Sequence, residues 1–423
     1  TWSRHLASGY FDHPPLVAWL IRLLGVRGCA LACGAATIAL VQGLAADVTG
    51  RPEAGWRAAA LWSVLPASVL AGVFATPDAP LMVFWVGSLW ALHRRRFALA
   101  GALAGLALLS KYTGALLAAP AAVAWLQAKG RVRSLLAGVA AAALAFAPAL
   151  AWNATHDWAS FRFQLTHGLH GLMGDPGEAT AAVAGRRFLE FAGGQRAMGG
   201  LVLPLGLWWA VRERGAPLWL RWAFLVPVAV FAAASLFAPG QANWASVAYL
   251  APCAWIAAEK RWPSRAAAVV GAAVCLGGLL HLTFPVVRLS TDAALARTHG
   301  WRELRSLHPQ GAQVAYAPNF GLASEIAYQS QLPVAIAGPS RLTQFDFWPE
   351  PQVEEGGDAL FVSEGDDPPE KLIRAFTSVE GPEVLETGLR GQVLHRFQLW
   401  RLRGKRAPPD RERPPLTAHS PPD

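Results

Sequence analysis

About ten apolar stretches follow one another between residues 14 and 284, and this pattern constrains the fold more than any other feature. A helix needs about 20 apolar residues to cross about 30 Å of hydrocarbon. Only 15% of the residues are charged and 53% are hydrophobic, whereas about a quarter of a soluble domain is charged. We therefore predict an α-helical polytopic membrane protein with about ten transmembrane helices. The candidate spans are 29–48, 57–75, 79–93, 97–110, 112–127, 134–152, 197–211, 217–238, 244–258 and 266–284, and 97–127 would be one broken helix or two short ones.

Basic residues lie at every second gap between the apolar stretches. They occur at 49–57, 93–96, 128–133, 212–216 and 259–265. In the other gaps, at 75–78, 110–112 and 239–243, Lys111 is the one basic residue. Such a bias marks the cytoplasmic side, so residues 1–28, the loop 153–196 and the chain after 285 are predicted to be periplasmic. The formal net charge of +9 is explained by this anchoring, and nucleic acid is excluded as a partner.

The chain changes character after Pro285, where no further apolar run of membrane length appears. Apolar patterns predict strands at 313–317, 332–337, 359–363 and 393–402, with helices at 301–307 and 369–378 between them. We therefore predict a small periplasmic α/β domain over residues 286–403. Proline and charge dominate residues 404–423, which we predict to be a disordered tail.

Two ionisable residues interrupt the apolar region on the predicted outer side. Asp78 lies in the sequence Thr-Pro-Asp-Ala-Pro, between two spans. A carboxylate at this depth is costly unless it is paired or functional, although Asp is also a good N-cap for the helix predicted at 79–93. Lys111 either extends its ammonium to the membrane surface or faces a phosphate or a carboxylate such as Asp78.

Further polar groups fall on the same predicted side. Asp12 and His13 precede two prolines, which are expected to hold the pair on a rigid turn. This turn either carries chemically active groups or is only a structural turn at the membrane face. Residues 153–164 alternate aromatic, acidic and basic side chains, as in a sugar- or headgroup-contacting surface or an amphipathic segment on the membrane. The candidate binding residues on this side are His156, Asp157 and Arg162 of this segment, with Gln241 and Asn243 of the gap at 239–243. Each of them can also be an interfacial anchor.

The sequence contains no recognisable cofactor site. Four cysteines show neither metal-ligand spacing nor a disulfide framework, and no nucleotide-binding fingerprint is present. We predict no metal-ligating residue, and the requirement for a divalent metal stays open.

Six motifs in one order, taken together, resemble bacterial members of glycosyltransferase family 39, the protein-mannosyltransferase and aminoarabinose-transferase relatives of the GT-C fold. They are GYFDHPPLVAWL, ATPDAPL, LLSKYTG, NATHDWASFRFQ, GQANW and QFDFWP, and the similarity runs from about Ser3 to Pro349. The resemblance implies a bacterial inner-membrane enzyme with a GT-C-like bundle and a soluble C-terminal domain. Such an enzyme transfers a sugar from a polyprenyl phosphate to a lipid, glycan or protein acceptor at the periplasmic face, among membrane lipids.

The resemblance also implies roles for individual residues. Asp78 matches the family's second functional aspartate, Asp12-His13 is similar to an acidic–basic pair before proline, and Lys111-Tyr112 matches a family motif. The family's leading catalytic carboxylate would fall just upstream of Trp2, so we expect the chain to lack its true N-terminus.

The implied reaction explains why carboxylates and cations occur together. An acceptor hydroxyl attacks the anomeric carbon while the lipid phosphate leaves, which requires a carboxylate base and cations at the phosphate. We predict Asp78 and Asp12 as the catalytic carboxylates. The cation would come from Lys111, His13, Arg162 or the Arg186-Arg187 pair, and Tyr112 belongs to the substrate-binding set.

Two other hypotheses remain at this point. A transporter or flippase of a lipid-linked sugar would place ionisable residues near the bilayer midplane and show internal repeats. The polar groups lie at one edge instead and no repeat is evident, which favours the enzyme. An inactive, truncated copy of such an enzyme is the third hypothesis.

Overall fold

The structure is a computed structural model that describes residues 1–173, 180–213, 215–258, 262–285, 287, 292–307, 311–338 and 341–407. For residues 167–173 and 262 only the backbone is described. The chain divides into two compact units, Trp2–His281 and the part that begins at Leu282. Residues 408–423 of the predicted tail lie outside the described residues, as do three of the predicted cytoplasmic cations, Arg214, Lys260 and Arg261.

The first unit is helical, because in apolar surroundings a helix satisfies its backbone hydrogen bonds within one segment. Its helices are α1 (Leu16–Thr49), α2 (Pro52–Ser63), α3 (Pro66–Val73), α4 (Asp78–His93), α5 (Phe97–Ser110), α6 (Ala118–Gln127), α7 (Val132–Thr155), α8 (Ala159–Met173), α9 (Ala181–Gly199), α10 (Val202–Arg212), α11 (Leu218–Ser235), α12 (Leu250–Ile256) and α13 (Trp262–Thr283). Short 3-10 helices lie at Trp2–Arg4, Tyr112–Leu117 and Ser246–Tyr249.

Four of the described helices, α1, α7, α11 and Pro263–Thr283 of α13, are long and apolar enough to cross a membrane. The pair α2 and α3, bent by 73°, would make a fifth span. The predicted count of about ten transmembrane helices is therefore not confirmed, since several apolar runs are divided. The run at 57–75, for example, breaks where Pro66 begins α3, because proline fits the first turn of a helix but not its interior.

The segment 153–196 is largely helical rather than the loop predicted from the sequence. It contains α8 and most of α9, and α9 begins where the Thr180 side chain accepts a hydrogen bond from the amide of Val183. Alanine-rich stretches such as the start of α9 favour helix. Residues 174–179, between the two helices, lie outside the described residues.

The ends of α4 and α5 explain how chemically active groups come together. Helix α4 begins at Asp78 and ends before Arg94, and α5 begins after Arg96 and ends before Lys111. The two helices therefore run in opposite senses, with the arginines at one end and Asp78 and Lys111 at the other. At the arginine end, Arg94 and the Trp90 indole both donate to the Asp47 carboxylate, over 2.7 and 2.6 Å.

Helices α5 and α7 approach each other at backbone distance. A Cβ atom on Gly101 would lie 1.9 Å from the carbonyl oxygen of Gly138, and one on Gly105 would lie 2.4 Å from that of Ala142. Small residues spaced four apart permit such contacts between membrane helices. This packing places the C-terminal end of α7 beside the Lys111 end of α5.

The second unit contains a five-stranded sheet with the order β2-β1-β3-β5-β4. Its elements are α14 (Ala293–Thr298), β1 (Ala312–Ala317), α15 (Phe320–Ser330), β2 (Val334–Ile336), β3 (Asp358–Ser363), α16 (Glu370–Arg374), β4 (Phe376–Leu389) and β5 (Gln392–Lys405). Strand β1 pairs in parallel with β2 and β3, and β5 pairs antiparallel with β3 and β4. Apolar side chains cover both faces of the sheet, with Ala315 and Leu360 in one cluster and Val314 and Phe361 in the other.

Several predicted boundaries in this unit are corrected by the structure. The helix predicted at 369–378 ends at Arg374, where β4 takes over after one residue, and the helix predicted at 301–307 is a 3-10 helix, Arg302–Leu307. Strand β5 continues to Lys405, so residues 404 and 405 belong to the sheet rather than to a tail. The Arg403 side chain donates to the Asp358 carboxylate and the amide of Gly404 does the same, which explains this extension.

Candidate active site

The centre of the candidate site is Asp78, whose carboxylate has two partners. Lys111 Nζ donates to Oδ1 over 2.8 Å, and Asn243 Nδ2 donates to Oδ2 over 2.7 Å. Only 7% of the Asp78 side chain and 9% of the Lys111 side chain are exposed. The interpretation of Asp78 as an N-cap is wrong, because Pro77 holds that position and no side chain caps α4. Both carboxylate oxygens are engaged by the other two residues instead.

Lys111 reaches Asp78 because the chain makes a tight turn directly after α5. The Lys111 backbone is extended, at φ −156° and ψ 140°, and its carbonyl accepts a hydrogen bond from the amide of Gly114. A Cβ on Gly114 would lie 2.5 Å from the Leu108 nitrogen, so a larger residue does not fit the turn. The hypothesis that Lys111 pairs with Asp78 is confirmed, since the ammonium is buried against that carboxylate.

Asn243 is held in place by two residues that the sequence did not single out. Gln195 of α9 donates through Nε2 to the carbonyl of Ala242 over 2.8 Å. The hydroxyl of Tyr249 donates to Gln195 Oε1 over 2.9 Å. The sequence feature that could have pointed to Gln195 is the presence of glycines on both sides of it, in the stretch Gly-Gly-Gln-Arg-Ala-Met-Gly. The predicted neighbour Gln241 is exposed, and among the described contacts none joins it to Asp78.

Tyr112 connects the lysine turn to helix α8. Its hydroxyl lies 2.5 Å from Ser160 Oγ, and its ring packs edge-to-face against Phe161 with centroids 5.3 Å apart. Buried Asn153 at the end of α7 accepts a hydrogen bond from the amide of Phe161 over 3.3 Å. The predicted residue Tyr112 thus lies in a packed aromatic contact beside the ion pair.

The remaining predicted residues of the 153–164 segment lie in the turn between α7 and α8, which holds His156 and Asp157, and in the first turn of α8, which holds Arg162. The His156 ring stacks on Trp152 at 4.1 Å, and Arg162 makes hydrogen bonds of 2.5 and 3.0 Å to the Asp157 carboxylate. Asp157 and Arg162 are both exposed, so the pair neutralises itself at the surface. Asp157 and Trp158 adopt φ values of 53° and 56°, a region that residues other than glycine occupy in only a few per cent of cases.

The segment that carries Asp12 and His13 packs along α8. Gln164 donates to the carbonyl of Asp12 over 2.8 Å, and the Phe11 and Phe163 rings lie 4.7 Å apart. Gly9 fits only because it has no side chain, since a Cβ there would lie 2.7 Å from Trp152. The His13 ring lies 6.0 Å from that of Trp2, edge to face.

The chemistry available at the centre is proton transfer and charge stabilisation. An ionised carboxylate is an acceptor only, and an ammonium group has three donors, of which Asp78 receives one. Lys111 therefore retains donors for a second anion. Among the described residues, no three His, Cys, Asp or Glu side chains are grouped so that they could hold a metal ion.

Comparison with known proteins gives consistent similarities. Residues 12–152 match the family model for dolichyl-phosphate-mannose-protein mannosyltransferase. Lipid A galacturonosyltransferase RgtD of Rhizobium johnstonii is 26% identical over 433 residues, covering 91% of this chain and 87% of that protein. Crystal structures of ArnT from Cupriavidus metallidurans, in the apo state and bound to undecaprenyl phosphate, have TM-scores of 0.58 and 0.59. At 16% identity they cover 92% of this chain, which in turn covers 88% of each ArnT chain.

The ArnT-like helical fold, the apolar helices and the sequence relatives define a membrane glycosyltransferase of the GT-C type. The chain is a glycosyltransferase family 39-like protein, as its motifs indicate.

Proposed function

We propose that this protein transfers a sugar from a polyprenyl phosphate to a lipid A-type glycolipid at the periplasmic face of the bacterial inner membrane. Two similarities support the substrates. An ArnT structure of the same fold is bound to undecaprenyl phosphate, and the relative RgtD acts on lipid A. The C-terminal unit, which starts at Leu282, would face the periplasm as well.

The observation that carries the proposal is the buried Asp78–Lys111–Asn243 cluster at the end of α4 that is remote from the arginines. A transporter would place its ionisable groups near the midplane. An enzyme acting on lipid headgroups requires them at one end of the helices, where α4 and α5 present them.

The proposed reaction is a single displacement at the anomeric carbon, with inversion. The bond from that carbon to the phosphate oxygen breaks as the bond to the acceptor oxygen forms, and the phosphate leaves with the electron pair. The hydroxyl proton passes to a carboxylate, Asp78 or Asp12. Lys111 stabilises the negative charge that grows on the phosphate, with His13 near the acceptor or donor and Tyr112 in the binding set.

An in-membrane transfer assay with undecaprenyl-phosphate sugar as donor and lipid A as acceptor tests the proposal. We expect Asp78→Asn to lower kcat by about 10²- to 10⁴-fold, which is the usual contribution of a general base. The matched control is Asp47→Asn, which changes a carboxylate at the arginine end of α4 and is expected to leave kcat unchanged. Full activity of the Asp78→Asn variant would remove this residue from the mechanism.

A further inference from the structure

Helix α9 contacts the rest of the first unit through one narrow stripe of side chains. Three of its residues are buried, Phe191, Gln195 and Gly199, and they are four positions apart, on one helix face. A glutamine at the centre of such a stripe is unusual, because a buried amide is costly unless all of its polar atoms are bonded. Gln195 is 1% exposed, and its location therefore calls for an explanation other than packing.

The polar atoms of Gln195 are bonded to the segment that carries Asn243. Its Nε2 donates to the carbonyl of Ala242, and its Oε1 accepts from the Tyr249 hydroxyl, which also contacts the Gln195 carbonyl over 3.1 Å. Tyr249 is completely buried. A single amide side chain thus joins α9 to both ends of the stretch 242–249.

The glycines beside Gln195 permit this approach. A Cβ on Gly194 would lie 2.9 Å from the Ala242 side chain, and one on Gly199 would lie 2.5 Å from the Tyr249 ring. The contact therefore requires glycine at both positions, one on each side of the glutamine. Three neighbouring features of α9 serve the same contact.

The hydrogen bond to Ala242 fixes the direction of the next residue. The carbonyl of Ala242 and the amide nitrogen of Asn243 belong to one planar peptide group, so holding the oxygen orients the backbone from which the Asn243 side chain extends. That side chain donates to Asp78 Oδ2 over 2.7 Å. The path from Gln195 to the carboxylate therefore consists of two hydrogen bonds and one rigid peptide plane.

We infer that Gln195 and Tyr249 form a positioning pair for the transfer reaction, which acts through Asn243 on the Asp78 carboxylate. This inference rests on the proposed function of Asp78. Neither residue has to touch the substrate, because their contribution is to keep the Asp78 carboxylate aligned. A misplacement of about 1 Å at a reacting group can cost about 10²-fold in rate, so a remote pair of this kind matters for kcat.

The test uses the full-length protein in membranes with the same donor and acceptor. We expect Gln195→Leu and Tyr249→Phe to lower kcat by about 10- to 100-fold with little change in KM. Tyr249→Phe removes one oxygen and keeps the ring, so it remains informative if Gln195→Leu does not fold. Gln344→Leu and Tyr316→Phe, which alter a buried glutamine and a buried tyrosine of the second unit, are the matched controls and should keep the wild-type kcat.

A double substitution separates positioning from general stabilisation. If Gln195 acts through Asn243, the pair Gln195→Leu/Asn243→Leu should lose no more activity than Asn243→Leu alone, because coupled residues are not additive. Additive losses, or wild-type kcat in both Gln195→Leu and Tyr249→Phe while Asp78→Asn is inactive, would overturn the inference and leave the proposed function standing. Full activity of Asp78→Asn would remove Asp78 from the mechanism and this inference with it, whereas absence of transfer by the wild-type protein would overturn the proposed function itself.

Discussion

Lys111 and Asp78 are both removed from water, and this changes what their ion pair contributes. Exposed pairs are worth about 0–1 kcal/mol. A buried pair adds little over an apolar pair of the same size, but loss of one partner leaves a charge without compensation. The side chains are 9% and 7% exposed, and Asn243 supplies the second hydrogen bond to the carboxylate. The cluster therefore supplies hydrogen-bond partners to both oxygens of a carboxylate that is removed from water.

Replacing one member of this pair should be more harmful than replacing both. We expect Lys111→Met to lower the free energy of unfolding by about 3–5 kcal/mol, and Lys111→Met/Asp78→Asn to recover most of the loss. Tryptophan fluorescence during unfolding in detergent measures the free energy of unfolding of the single and the double variant. Arg94→Met is the control, because its pair with Asp47 is partly exposed and should contribute about 1 kcal/mol or less. Equal stability of the single and double variants would contradict the argument.

In the second unit, His395 connects strand β5 to helix α14 and to the residue that follows it. His395 of β5 lies 2.6 Å from Glu364 through Nδ1, and 2.8 and 3.1 Å from the carbonyls of Ala296 and His299 through Nε2. Its ring lies over Trp301, with centroids 4.2 Å apart. Burial alone would lower the pKa of His395, but the hydrogen bonds to Glu364 and to the Ala296 carbonyl, with the charge of Glu364, outweigh it and raise the pKa.

This raised pKa predicts the pH dependence of the α14 contact. A folded-state pKa above the ordinary 6.5 means that protonated His395 stabilises the contact below pH 6.5, and that the stabilisation is lost as the pH rises through the folded value. Hydrogen exchange of the 292–300 backbone in the full-length protein, corrected for intrinsic rates, should therefore show more protection at pH 5.5 than at pH 8.5. His395→Phe, which retains the ring contact, should abolish the difference. Equal protection of the wild-type protein at both pH values would refute the assignment.

At the scale of the whole molecule, the helices have two chemically different ends. Helices α4 and α5 place Arg94, Arg95 and Arg96 at one end and Asp78 with Lys111 at the other. Positively charged ends remain in the cytoplasm, so the orientation of the protein follows from the order of these helices. We propose on this basis that the active site faces the periplasm.

Labelling of single cysteines in intact cells measures this orientation. Cys29, Cys33 and Cys253 are buried, so Cys275→Ala removes the more accessible native thiol. In this background, Gln241→Cys should react with an impermeant maleimide in intact cells, whereas Arg95→Cys should react only after permeabilisation. The opposite pattern would contradict the proposed orientation.

The sequence predicted the pairing of Asp78 with Lys111 because the cost of burying each charge can be judged from its immediate neighbours in the chain. A carboxylate and a lysine at the ends of apolar runs require partners, and the structure pairs Asp78 with Lys111. Asn243 was recognised only as an amide on the same side, since its contact with Asp78 spans 165 positions of the chain. Gln195 was missed because it lies in the segment 153–196, which was predicted to be a periplasmic loop, where a polar side chain is expected to face solvent. Only the approach of Tyr249 makes this residue part of the interior.

The fold was predicted where a single periodicity dominates. Four of the five strands were expected from their apolar patterns. Strand β4 was not, because it lies at the sheet edge and Phe376 and Thr387 are its only buried residues. The alternation of apolar and polar residues that indicates a strand is missing in β4, because most of its side chains are exposed to solvent. The number of membrane spans was not confirmed for a related reason. Proline divides apolar runs, as between α2 and α3, and hydropathy does not register such breaks.

Helix α4 has a further consequence, because it is held at both tips. The indole of Trp90, near one tip, is tied to Asp47, and the other tip is Asp78 itself. Each helical residue adds about 1.5 Å and turns the chain by about 100°. Removal of one residue between Pro80 and Trp90 would therefore swing the carboxylate away from Lys111 and draw it about 1.5 Å toward the Trp90 end of the helix. If Asp78 acts as proposed, the length of this one helix fixes how far from the arginine end of the bundle the glycosidic bond is made.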